Sequence, residues 1–322
     1  MSGTRRTLVA VVGPTATGKS DLGLALAEAL GGEVINADAL QLYRGMDVGT
    51  AKLPVDRRRG IRHHLLDVLD VTQEASLAAY QRDARVARDE VAARGGVPVL
   101  VGGSGLYVRA VLDRLEIPPT DPVVRTRLER EAEKLGAPAL YARLSELDPV
   151  AAIAILPGNV RRVVRALEVI ELTGRPFSAT LPKPDYEQPA VQIGLSAPRE
   201  VLDERIAARV EAMWAAGLVD ETLALVAEGL LDGRTAPRAL GYAQVLRMFE
   251  GELDDVAARA DTIVATRRFA RRQESWFGRD PRIRWLPFDA PDLLDRALAA
   301  VRAGTGPEAG PESSSPEVGG LA

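Results

Sequence analysis

Apolar and polar residues alternate along this chain in blocks whose period changes partway. The run Leu8-Val9-Ala10-Val11-Val12 is short, continuous and β-branched, the mark of a strand buried on both faces. Runs at 33–37, 63–68 and 97–101 share that character, while over 19–30, 76–94 and 104–112 apolar residues recur at helical spacing. Ser76 stands where an N-cap belongs, and Gly95-Gly96 where that helix must stop. Strand and helix in strict alternation predict a parallel sheet with crossover helices. After Ile117-Pro118-Pro119 the strand signal ends. The chain then reads as helices to about residue 175, and Pro176 to Pro189 is a proline-rich return. Val191-Gln192-Ile193-Gly194-Leu195 is a strand that rejoins the sheet. The expected division is a core over 1–115, a helical insertion over 116–190, the rest of the core over 191–303 and a disordered tail over 304–322.

Composition narrows the class. At 322 residues and 46% hydrophobic, the chain can bury one large core or a core with an insert. There is no cysteine, which excludes disulfides, thiolate zinc sites and cysteine nucleophiles. No apolar run approaches the roughly 20 residues of a membrane span, and MSGTRRTLVAVVG holds no separate signal-peptide core. A cytoplasmic protein without a membrane partner is expected. The net charge of −4 hides an uneven distribution. The Gly/Pro/Ser-rich segment 304–322 carries three glutamates and no base, and without it the balance is −1. Arg161, Arg162 and Arg165 sit together, and Arg267, Arg268, Arg271, Arg272, Arg279 and Arg282 fall within sixteen residues. Local basic stripes of this kind can bind a polyanion on a near-neutral protein. They can equally be solvated helix faces.

The sharpest chemistry follows the first strand. Gly13, Pro14, Thr15, Ala16, Thr17, Gly18, Lys19 and Ser20 fit G-x-x-x-x-G-K-[ST], in which glycines let successive N–H groups curl around an anion. Lys19 adds a mobile positive charge, Ser20 a hydroxyl for Mg²⁺, and the following helix points its N-terminus at the same anion. The chain therefore reads as α/β, a P-loop NTPase-like parallel sheet core with a helical insertion domain. Phosphoryl-transfer enzymes of this kind also place an acid at a central strand end to hold Mg²⁺. Here VPVLVGG ends without one, and the strand-end acid is Asp38 in GEVINADALQLY. A cap for a short helix over ALQLY is the alternative for Asp38. The adjacent His63 and His64, the only histidines, suit a structural place at a strand start.

GPTATGKS, INADALQLYRGMDVGTAK, HHLLDV, VGGSGLYVRAVL, DPVAAIAILPGNVRRVVRALEV, RALGYAQVL and ATRRFARRQESWF follow one another in that order. This set, spanning about residue 7 to about residue 290, resembles the tRNA dimethylallyltransferase family. The resemblance implies that the loop grips the diphosphate of dimethylallyl diphosphate, with Mg²⁺ on Ser20, and that the dimethylallyl group goes to N6 of the adenine 3′-adjacent to the anticodon. It also accounts for the missing acid, since diphosphate is the leaving group and no water needs activating. Asp38 is then the proton acceptor, with Lys19 and Thr17 beside the reacting centre, although Thr17 can serve simply as a loop hydroxyl. The target adenine must be flipped out of its stack. Ala39, Leu40 and Gln41 are placed to read it, and Ser104 holds the position of the threonine in the family's GGT. Arg125 resembles an arginine that closes over the substrate. The anticodon stem-loop of tRNA would meet Arg161, Arg162 and Arg165 and, further on, Arg238, Gly241, Tyr242, Arg268, Arg271, Arg272, Gln273 and Trp276. One departure is Ala243, where the family's GYRQ has arginine. A monomer with no obligate protein partner is expected.

Three other readings remain. An adenylate isopentenyltransferase shares the loop and the acid, but needs neither the insertion nor the arginine-rich segment. The stretch LSAPREVLDERIAARV also resembles nucleotide kinases, which keeps a small-molecule kinase open. A non-catalytic RNA-binding module is disfavoured by a complete loop paired with Asp38.

Overall fold

A computed structural model describes residues 6–180 and 184–304, so the expected tail, apart from its first residue, lies outside the described residues. Two compact units are present. Met1–Ala75, Asp83–Val108 and Gln188–Ala322 form one, and Ser76–Arg82 with Arg109–Glu187 form the other.

The first unit is built on six strands: β1 (Leu8–Val12), β2 (Glu33–Asn36), β3 (His63–His64), β4 (Pro98–Val101), β5 (Ala190–Ser196) and β6 (Ile283–Pro287). They pair in parallel in the order β3-β2-β4-β1-β5-β6. Val9 of β1 stands opposite Val99 on one side and Val191 on the other, and all of β1 is buried, which is why its sequence carries no polar alternation. Helices α1 (Lys19–Leu30), α2 (Leu77–Ala93) and α3 (Gly105–Leu112) follow β1, β3 and β4. On α1, Gly23 allows close approach to the sheet, since a Cβ there would lie 2.4 Å from the Val101 side chain.

Two strands differ from expectation. The run 63–68 pairs only at His63–His64, because Leu65 and Asp67 take left-handed backbone angles, φ 61° and 59°. The N–H groups of Asp67 and Val68 then turn to the carbonyls of Gln41 and Leu42. Strand β6 escaped the sequence pattern altogether. As the sheet's edge it buries only Ile283 fully, and Arg284 breaks any apolar run in IRWLP.

The second unit carries α4 (Pro122–Leu135), α5 (Ala137–Leu147), α6 (Pro149–Ala154) and α7 (Val160–Thr173). Their shared core includes Leu128, Leu140, Leu144, Val164 and Leu167. Asp121 caps α4 by accepting from the N–H groups of Val123 and Val124, and Asn159 caps α7 through Arg162 N–H.

The rest of the first unit is α8 (Arg199–Ala215), α9 (Leu218–Ala227), α10 (Tyr242–Phe249), α11 (Asp255–Phe277) and α12 (Leu293–Gly304). Ala297 and Val301 of α12 join α1 and the sheet in one core cluster. Trp214, Leu218, Tyr242 and Val245 form another with Tyr43 and Met46, so the chain after β2 is carried on α8 to α10.

Candidate active site at the carboxyl ends of the strands

The loop after β1 begins with Gly13 at φ +132°, where a Cβ would meet the Leu195 carbonyl oxygen at 2.7 Å. Gly18, at φ +84°, precedes α1 without any side-chain cap. The first amides of α1 are thus left for an anion. Thr17 is buried and its hydroxyl donates to the Pro14 carbonyl at 2.8 Å. Lys19 Nζ donates to the same carbonyl at 2.7 Å. Solvent still reaches part of the Lys19 side chain, but the ammonium lies deep among protein atoms. That desolvation, helped by the Arg209 guanidinium and opposed by Asp38, pulls its pKa down to about 7. Ser20 is exposed in the first turn of α1.

Asp38 follows β2, which is separated from β1 by β4. Buried Asn36 fixes it by accepting its N–H at 2.9 Å and donating to its carbonyl at 3.0 Å. Its Oδ1 accepts Leu40 N–H at 3.0 Å. The short helix over ALQLY that the capping alternative required does not form, and Asp38 closes a tight turn in its place. Ser104 Oγ accepts Ala39 N–H at 3.2 Å, tying the loop after β4 to the loop after β2. Gln41 donates its amide to the Thr50 carbonyl at 3.1 Å. Tyr107 lies close enough to Tyr43 and Asp38 for their charges to add to burial, which raises its phenol to about 12.

Two arginines absent from the sequence-based site reach it from α8. Burial lowers the pKa of Arg209 against the pull of Asp38, and its charge in turn acts on Lys19. Its Nη2 donates to the Thr50 carbonyl at 3.4 Å. Arg205, one helical turn earlier, donates to the Ala16 carbonyl at 2.7 Å and lies 4.8 Å from the Phe288 ring centre. Their spacing of four in RIAARV was the available signal, but only packing shows which face of α8 turns to the loop.

Several residues expected at RNA are placed otherwise. Tyr242 is fully buried, and its hydroxyl donates to Glu221 Oε1 at 2.5 Å. The same Glu221 carboxylate accepts the N–H groups of Asp47, Val48 and Gly49. Gly241, at φ +88°, is also buried and shapes the start of α10. Gln273 is 5% exposed with both ends of its amide bonded inside the protein. In the second unit Arg125 and Arg165 both bind fully buried Glu168, at 2.8 and 2.9 Å. Arg165 also donates to the carbonyls of Pro118 and Pro119. These two guanidiniums and the Asp121 N–H hold the Glu168 carboxyl below its ordinary value, against the burial that would raise it. Arg161 and Arg162 are exposed on α7, as is Arg238 before α10. On α11, Arg268, Arg271 and Arg272 are exposed and Phe277 is core. Trp276 is 38% exposed, with its indole laid on Gly105. His63 and His64 are structural, bonded to the Ile61 carbonyl and to Glu33.

A parallel sheet with a glycine-bounded loop after β1 and a half-buried carboxylate after β2, two places along the sheet, defines an α/β protein of the P-loop NTPase-like fold. The chain belongs to the IPP transferase family, which matches it over residues 41–280. It is 64% identical over 300 residues to the tRNA dimethylallyltransferase of Thermobifida fusca, covering 92% of this chain and 94% of that one. It is 62% identical to the enzyme of the same name from Streptomyces coelicolor, over 91% and 94% of the two chains. Its fold is similar to the full-length tRNA isopentenylpyrophosphate transferase of Bacillus halodurans, with TM-score 0.69, 37% identity and coverage of 93% and 98%. A eukaryotic dimethylallyltransferase acting on tRNA is similar at TM-score 0.79 and 25% identity, over 92% and 77%.

Proposed function

We infer that this protein transfers a dimethylallyl group from dimethylallyl diphosphate to N6 of the adenine 3′-adjacent to the anticodon in tRNA, releasing diphosphate. The observation that carries the reading is the 64% identity with a tRNA dimethylallyltransferase along most of the chain, joined by Lys19, Asp38 and Arg209 standing near enough to act on one another's charge. The allylic C–O bond breaks with its electron pair passing to the diphosphate. Loop amides, Lys19 and Arg209 meet that growing negative charge more strongly than the charge of the ground state. The adenine N6 forms the new C–N bond and gives up a proton to Asp38.

The donor set fits Mg²⁺ bound mainly through substrate. Among the described residues no three His, Asp or Glu cluster as a metal cage. Ser20 offers one exposed hydroxyl, which suits an ion that keeps several waters and takes its other ligands from phosphate oxygens. When bound there, Mg²⁺ would neutralise charge on the leaving diphosphate.

The exposed arginines of α11, with Arg161 and Arg162 on α7, supply phosphate contacts that a free nucleotide acceptor would not need. No helix among the described residues is long and apolar enough to cross a membrane. Labelled dimethylallyl diphosphate offered with bulk tRNA, or separately with AMP, tests the reading. Label in tRNA alone is expected, label in AMP would assign an adenylate isopentenyltransferase, and robust ATP turnover would assign a kinase.

A further inference from the structure

We propose that Gln273 is a positioning residue that sets the diphosphate loop at a fixed distance from Asp38, and that it makes no contact with RNA. This inference rests on the transferase reading above. Gln273 lies on α11 directly after Arg271 and Arg272, yet it points into the protein and is 5% exposed. Its Oε1 accepts the Thr15 N–H at 2.9 Å, and its Nε2 donates to the Gly103 carbonyl at 2.9 Å. Only this orientation of the amide satisfies an N–H at one end and a carbonyl at the other.

The two partners belong to loops after adjacent strands, β1 and β4. Thr15 is inside the anion loop, and its N–H is held by Gln273, which ties that loop to α11. Gly103 leads into Ser104, whose hydroxyl accepts the Ala39 N–H next to Asp38. Hydrogen bonds and two single steps along the backbone, Gly103 to Ser104 and Ala39 to Asp38, therefore link the diphosphate loop through one amide to the acid. Around Gly103 the fit is close, because a Cβ there would lie 2.2 Å from Gln273 Nε2. Gly102 is equally constrained, with a Cβ 2.2 Å from the Ala37 oxygen. Glutamine suits this position for chemical reasons. Glutamate lacks the donor for Gly103, lysine lacks the acceptor for Thr15, and asparagine is one methylene shorter.

The chemistry gives the amide its importance. Departure of diphosphate and proton loss from N6 occur at the two ends of one reacting group, so the loop and the acid must be held to a fraction of an ångström. A slack Gln273 loses that register while leaving the outer, RNA-facing side of α11 intact.

Two variants test this from opposite sides. Gln273→Glu keeps the acceptor but sets a carboxylate oxygen against the Gly103 carbonyl, and Gly103→Ala displaces the native amide without altering α11. For both, binding of inorganic pyrophosphate is expected to weaken about tenfold and kcat to fall at least as far, with tRNA affinity and its salt dependence unchanged. Melting curves identify any variant that has lost the fold, and either variant alone decides the matter. Weakened tRNA binding with intact pyrophosphate binding would make Gln273 an RNA contact, and unchanged kcat and pyrophosphate binding in either folded variant would reduce it to core filling. Pyrophosphate binding reads the inference whichever acceptor the enzyme uses, whereas absence of label in tRNA with the wild type would overturn the transferase reading alone.

Discussion

Asp38 spends one carboxylate oxygen on a backbone N–H and is anchored through Asn36, so its position is set before any substrate arrives. Asp38→Ala should lower kcat by about 10² to 10⁴, the usual range for a lost general base, with tRNA affinity changed no more than a few-fold. Near-normal kcat at saturating substrate would leave Asp38 as the closure of a turn. Lys19 makes a second residue-level prediction, through pH. Its pKa of about 7 reflects burial first and Arg209 second, and a bound diphosphate must raise it. The charge that favours binding is therefore fully present below pH 7 and is lost as pH rises from there toward the higher bound-state value. Pyrophosphate titrations of wild type and Lys19→Met should diverge most below pH 7 and converge above it. The comparison with the variant cancels the titration of pyrophosphate itself, and a pH-independent ratio would show that Lys19 stays charged throughout.

At the scale of elements, the motif Gly241-Tyr242 acts from inside. The Tyr242 ring packs where a Cβ on Gly49 would stand 2.4 Å away, and Glu221 of α9 gathers that phenol with three backbone N–H groups of the 47–49 turn. The turn leads to Thr50, whose carbonyl holds both Gln41 and Arg209. Tyr242→Phe should cost roughly 1 kcal/mol in urea unfolding and Glu221→Ala about 1 to 3 kcal/mol. Both should raise the KM for tRNA, which a change confined to core packing would leave alone. Secondary elements were legible where apolar period and burial coincide, as in β1 and α1. They were not where one residue settles the geometry, as Leu65 does in cutting β3 short. For the site, contiguity decided legibility. The anion loop and Asp38 could be read from consecutive residues, whereas Arg205, Arg209 and the inward turn of Gln273 depend on how α8 and α11 rotate against the sheet.

For the whole molecule, the question is whether the two substrates are bound by separable surfaces. The chain carries a net charge of −4, so attraction for tRNA must come from local arrangement and not from overall charge. Arg268, Arg271 and Arg272 share the exposed side of α11, while Arg125 and Arg165 are occupied by Glu168 in the second unit. That leaves α11 as the more exposed basic surface beside the anion loop, although Arg271 stands 4.0 Å from the Asp203 carboxylate. Replacing its three arginines together by alanine should weaken tRNA binding and flatten the dependence of log K on log salt by about 2 to 3, since each lost phosphate contact removes about 0.7 to 0.9 of a released counterion. Pyrophosphate binding should stay near wild type, because none of the three bonds to residues 13–20, and their neighbour Gln273 is left in place. An unchanged salt slope in a folded triple variant would make the stripe a solvated helix face and move RNA recognition to Arg161 and Arg162 of the second unit. A loss of pyrophosphate binding in step with tRNA would show instead that the two faces of α11 act as one surface.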